Sequence, residues 1–160
     1  MKLFLAREYS DADGGFCVFD ETAMPRYHAV NVTDTAGCHI TLIDAEGGKA
    51  AEIYHKSLVL GYFTIKCGGR RYILVPCMKE RFGFAIYGST YRFLGDIASG
   101  RFSLFDVDKS PVMTQKKCWG EYGDGYELKI YHDNKEIFAV AVAICAALYL
   151  TAGDKSPAPA

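Results

Sequence analysis

Five cations crowd the middle of the chain: Lys66, Arg70 and Arg71 around Gly68-Gly69, and Lys79 and Arg81 on either side of Glu80. Lys116-Lys117 is a further dense spot. An Arg guanidinium offers a planar fork that matches a phosphate, and a Lys ammonium brings a mobile point charge. Two such turns held side by side could cradle an anionic headgroup, and Lys66, Arg70 and Arg71 are the candidate ligand-binding residues. The ordinary alternative is a set of solvated turns whose charges protect strand edges and solubility.

Other chemistry finds little support. The histidines are His28, His39, His55 and His132, with no H-x-H or H-x-x-x-H spacing that would hold a metal. Cys38 and His39 are neighbours and on a strand would point to opposite faces, so they cannot act as a dyad. Gly-x-Ser-x-Gly, Walker and Rossmann patterns are missing, and no helix follows Gly68-Gly69 to bind phosphate by its N-terminus. The expectation is a chain that is not an enzyme, with no catalytic residue, no metal and no cofactor. Trp119-Gly120-Glu121-Tyr122, followed by Gly123-Asp124-Gly125, is an aromatic loop that could mark a surface contact or simply pack at a rim.

Charge and cysteines bound the partners. A net charge of −1 supplies no field to recruit nucleic acid. The six cysteines, at 17, 38, 67, 77, 118 and 145, form no C-x-x-C pair. The apolar start Leu3–Ala6 meets Arg7 and Glu8 at once, too short for an export signal. Reduced, mostly buried thiols in a cytoplasmic protein are therefore expected, peripheral to a membrane if a lipid is bound.

Something must hold these residues, and the pattern around them is that of strands. Apolar alternation bounded by Gly, Asp and Asn predicts twelve: Leu3–Glu8, Phe16–Asp20, Tyr27–Thr33, His39–Asp44, Ala50–His55, Tyr62–Cys67, Arg71–Cys77, Phe82–Tyr87, Tyr91–Ile97, Arg101–Asp106, Val112–Trp119 and Tyr126–Tyr131. A loose repeat runs through them, an apolar strand ending in Asp before a polar turn, at Asp20, Asp44 and Asp106. A strand-terminal Asp bonds the amides of the turn that follows, which gives these acids a structural task.

After Tyr131 the period changes. Ile137–Leu150 is fourteen apolar residues, five of them Ala, preceded by Asp133 and Glu136 in the spacing of a capping box. The expected helix spans about residues 134–152 and stops at Gly153 as its C′ residue. At about 21 Å it is short of a ~30 Å hydrocarbon core. A dozen antiparallel strands closed into a barrel leave a bore that a thin, Ala-rich helix can fill. The expected organisation is one domain, 1–153, a mainly β, twelve-stranded antiparallel closed barrel around a buried C-terminal helix, with a disordered tail at 154–160. A filled bore leaves ligands only the outer surface or the barrel ends.

The repeated strand–Asp–turn–strand pattern, Trp119 before Tyr126-Glu127-Leu128-Lys129-Ile130, and the final apolar helix resemble the LURP-one-related proteins, relatives of tubby C-terminal domains and phospholipid scramblases. The resemblance covers Leu3 to about Ala152 and implies the same barrel around a hydrophobic helix. Family members often carry an Asp late in that helix; Ala143-Ile144-Cys145-Ala146 has none. Tubby domains bind phosphoinositide headgroups through surface Lys and Arg, which implies anionic lipid headgroups or phosphate ligands as partners here. Two other readings stand beside it: a protein-interaction or structural module without a small ligand, and a scramblase-like protein tethered by its C-terminal helix.

Overall fold

The computed structural model describes residues 1–7, 15–34, 37–56, 61–77, 83–120 and 123–154. Residues 155–160 of the expected tail and the Lys79–Arg81 cluster lie outside them, as do Glu121 and Tyr122 of the aromatic loop, whereas Asp154, expected to open the tail, belongs to the helix. Twelve strands follow one another: β1 (Lys2–Arg7), β2 (Phe16–Phe19), β3 (Pro25–Asp34), β4 (Gly37–Asp44), β5 (Lys49–Lys56), β6 (Tyr62–Cys67), β7 (Arg70–Cys77), β8 (Gly83–Tyr87), β9 (Arg92–Asp96), β10 (Arg101–Phe105), β11 (Pro111–Gly120) and β12 (Gly123–Ile130). Helix α1 (Glu136–Asp154) is the last element among the described residues.

All ladders are antiparallel and join sequence neighbours, except that β1 pairs with β12 and so ties the first strand to the last. The circuit runs β8-β7-β6-β5-β4-β3-β2-β1-β12-β11-β10-β9. Among the described residues no ladder joins its two ends. β8 and β9 instead meet through side chains: the Phe93 ring stands where a Cβ on Gly83 would be, 2.7 Å from it, and packs edge-on against Phe84. The barrel is thus nearly closed.

Twelve strands about 4.8 Å apart, tilted by ~40°, enclose a circle roughly 25 Å across. A helix with its side chains is ~10–12 Å wide, which leaves room for one layer of inward side chains around it. The inward layer is Leu3, Leu5, Ile40, Leu42, Ile53, Phe63, Ile65, Leu74, Phe102, Leu104, Met113 and Leu128 among others, none more than 2% exposed. Ala139 through Ala146 are likewise at most 1% exposed, so the helix is covered on every face. No helix among the described residues is long and apolar enough to cross a membrane.

The ends of the helix differ from the sequence expectation. Asp133 is not the cap; His132 precedes a short 3-10 turn, Asp133–Lys135, with no side-chain capping bond. Glu136 does not reach back to cap that turn. Its carboxylate takes a fork from Arg26 on β3, Nε to Oε1 at 2.5 Å and an Nη to Oε2 at 3.1 Å. A near-buried carboxylate draws the strongest donor in reach, and that donor lies far away in sequence. Gly153 is not a C′ stop, because the helix runs on to Asp154.

Candidate functional site

The β6–β7 hairpin turns on Gly68 and Gly69 alone, with φ of +57° and +72° and Cys67 facing Arg70. Both central residues of this turn are left-handed, which the preferred two-residue hairpin requires and glycine supplies without strain. A tight turn fixes the register of everything behind it. Lys66 therefore stands directly opposite Arg71 across the ladder, and Glu52 of β5 stands opposite Lys66 on its other side.

Strand alternation sends Lys66 and Arg71 to the outer wall, while Ile65 and Tyr72 beside them face the core. Arg70, one residue from the turn, lies at the mouth of the barrel. The three predicted residues line one open cleft of about 420 Å³ together with Lys49, Glu52, Cys67 and the two turn glycines. Lys49 is the member that sequence reasoning missed. It opens β5 from the neighbouring turn, and nothing local ties it to residues 66–71; only the β5–β6 register does.

The charges in the cleft are not balanced. Glu52 is its acid, and it is already engaged: Lys49 Nζ donates to Oε1 and Tyr54 Oη donates to Oε2 at 2.5 Å. The Lys49 contact above all, then the Tyr54 hydroxyl, hold its carboxyl down at about 2. Lys66 lies over the Tyr54 ring, 5.2 Å from its centroid, and His39 stacks on the same ring at 4.3 Å. Arg70 and Arg71 are exposed and make no ion pair among the described residues. Like charges facing each other directly across a ladder destabilise it, so Lys66 against Arg71 is a local conflict with no acid between them.

The turn acids do what their position implied. Asp20 Oδ1 accepts from the amides of Thr22 and Met24 at 2.8 and 3.0 Å, and Asp44 Oδ1 from those of Glu46 and Gly48 at 3.0 and 2.8 Å. Asp106 Oδ1 accepts from the Val107 amide at 2.7 Å and from Thr90 Oγ1 at 2.6 Å. Among the described residues no group of three metal-ligating side chains converges. Cys67, Cys77 and Cys118 are half-buried thiols, and Cys17 and Cys145 are buried.

No protein-family model matches the chain, and no curated protein does either. Among solved structures, the X-ray structure of the Arabidopsis thaliana protein AT5G01750 is similar, with a TM-score of 0.63 over 92% of this chain and 91% of that one. Identity between the two is 11%. The likeness is one of fold. It carries no residue of the cleft from one protein to the other.

Proposed function

We propose that the chain is a non-enzymatic binding module of the LURP-one-related, tubby-like kind that takes phosphate-bearing anions in the cleft of Lys49, Lys66, Arg70 and Arg71. The observation that carries the reading is the unbalanced pairing of Lys66 with Arg71 beside an exposed Arg70 that makes no ion pair among the described residues, while the neighbouring Glu52 is held by Lys49 and Tyr54. A sheet that tolerates an unfavourable cross-strand pair at an open cleft is spending stability on something other than folding. The cations also match the chemistry: two guanidinium forks and two ammonium groups suit a headgroup with several phosphate oxygens.

A role for α1 as a membrane tether fits poorly with a helix whose residues 139–146 are all enclosed by the barrel. The test is flotation with vesicles of neutral lipid doped with a phosphorylated inositol lipid, repeated with a soluble inositol trisphosphate as competitor. Binding is expected for the native chain and a loss of at least tenfold for Arg70→Glu/Arg71→Glu, since each charge near an anionic surface contributes about 1 kcal/mol. Competition by the soluble headgroup assigns the cleft to the headgroup; binding without competition assigns it to surface charge. Equal flotation of native and doubly reversed chains would remove the proposal.

A further inference from the structure

A second basic surface lies on the far side of the barrel. In the circuit of twelve strands β12 is six places from β6, which is diametrically opposite. There the outer wall of β1, β12, β11 and β10 carries Lys2, Lys129, Lys116 and Arg101, lining an open depression of about 510 Å³ with Ser103, Thr114 and Glu127. The register makes it one surface: Lys2 faces Lys129, Lys129 faces Thr114, and Thr114 faces Ser103, a row across four strands. In the next row Lys116 faces Glu127.

Glu127 is the acid of this wall, and it is held on both sides, by Lys116 at 2.9 Å and Lys2 at 3.4 Å. Against its one negative charge stand four positive ones. Arg101 is exposed and makes no ion pair among the described residues, and Lys129 has only the Tyr131 ring, 5.3 Å away. Two hydroxyls, Ser103 and Thr114, sit between these cations. The depression itself is lined by cations and polar groups, while exposed apolar side chains, Leu94 opposite Ser103 and Met1 and Tyr131 beside Lys2 and Lys129, stand at its edges. A cationic face rimmed by a few apolar groups fits the charged surface of an anionic bilayer.

We propose that this wall is a second contact for anionic lipid, and that the two opposed walls let one chain bridge two anionic bilayers. The bridging rests on the cleft reading above; the second contact does not. Sequence alone could not assemble it, because the four cations come from four strands brought together by the β1–β12 closure.

The test uses the full chain with vesicles containing phosphatidylserine and a phosphorylated inositol lipid, read by flotation for binding and by dynamic light scattering for clustering. Sedimentation reads the oligomeric state of the chain, and circular dichroism whether each variant is folded. The native chain should both float and cluster vesicles. Arg101→Glu/Lys129→Glu should still float but fail to cluster. Arg70→Glu/Arg71→Glu should float less than the native chain, held to the phosphatidylserine of these vesicles by the second wall alone, and likewise fail to cluster; the four-fold variant should not float. At roughly fivefold in partition per charge, reversing two cations weakens a wall by more than a hundredfold. Clustering by Arg101→Glu/Lys129→Glu equal to that of the native chain overturns the second contact and leaves the cleft standing. If that variant alone abolishes flotation while Arg70→Glu/Arg71→Glu changes nothing, the second wall stands and the cleft and the bridging fall. A dimeric native chain that clusters overturns bridging by a single chain.

Discussion

Arg26 and Glu136 show how much a single distant pair decides. Glu136 opens α1 with 8% of its side chain exposed, Arg26 keeps 40%, and the guanidinium closes on it with two bonds. The carboxylate and its hydrogen bond hold the Arg26 proton more tightly than in water, and burial together with that carboxylate pushes the neighbouring Tyr27 hydroxyl up to about 12. Removing the Arg leaves a charge in the barrel mouth with nothing to pair it. Arg26→Ala should cost about 2–3 kcal/mol in urea unfolding, the low end for a buried pair because Arg26 is partly solvated. Arg26→Lys should recover only part, since a point charge cannot replace a fork. Acid should act through the same kind of group. Glu52 sits at about 2 when folded against 4.5 when unfolded, and Glu127, Asp20 and Asp106 are lowered as well. Depressed carboxyls stabilise the fold above their unfolded values and lose that contribution as protons are forced on them. The unfolding midpoint should therefore hold above about pH 4.5 and fall toward pH 2, more shallowly in Glu52→Gln.

Three hairpins are built alike, which gives the repeat seen in the sequence a structural meaning. Each starts from its Asp, with the amide three residues on donating to the Asp carbonyl and the Asp amide donating to the carbonyl four residues on. The residue three beyond the Asp is left-handed in each: Ala23 at φ +63°, Gly47 at +86° and Lys109 at +66°. The ladder register slips by one at the same place in all three, between Val18 and Phe19, Leu42 and Ile43, and Leu104 and Phe105. This is a type I turn followed by a bulge, in which glycine is the comfortable choice. Ala23→Gly and Lys109→Gly should therefore stabilise by roughly 0.5–1 kcal/mol, and Gly47→Ala should destabilise by about 1–2 kcal/mol, read from denaturant midpoints at constant slope. Strands and turns of this sort were legible because their causes are local: alternation for the strand, an Asp and a left-handed residue for the turn. All twelve predicted strands are present, their ends displaced by at most three residues, the largest shift being the start of β12 at Gly123 rather than Tyr126. The start of α1 was not legible, because Asp133 and Glu136 carry the right spacing for a cap and the winning partner, Arg26, lies 110 residues away.

At the scale of the molecule, the barrel and the helix account for each other. Neither the inward faces of the strands nor a helix apolar on all sides can be exposed, and each is the cover for the other. A chain ending at Lys135 should accordingly show no cooperative unfolding transition, because it loses a core of side chains contributing ~1.5–3 kcal/mol for each large one. A native-like circular dichroism spectrum and sharp melting in that truncated chain would overturn this picture. Ala143→Leu should be tolerated at a cost of about 1–3 kcal/mol, since the helix is thin where the barrel leaves no slack. With the bore filled, chemistry is left to the outside, and there the sequence disclosed three of the four cations of the cleft. Lys66, Arg70 and Arg71 flank a single hairpin turn and could be found by inspection, whereas Lys49 depends on the β5–β6 register and the opposite wall on the pairing of β1 with β12.

Binding of phosphate-bearing anions in the outer cleft of the β6–β7 hairpin is read residue by residue from amide chemical shifts. A soluble inositol trisphosphate titrated into the labelled chain should move the amides of Lys66, Gly68, Gly69, Arg70 and Arg71 in a saturable manner and leave those of Ala139–Ala146 in place. Saturation with no movement at residues 66–71 would contradict the account.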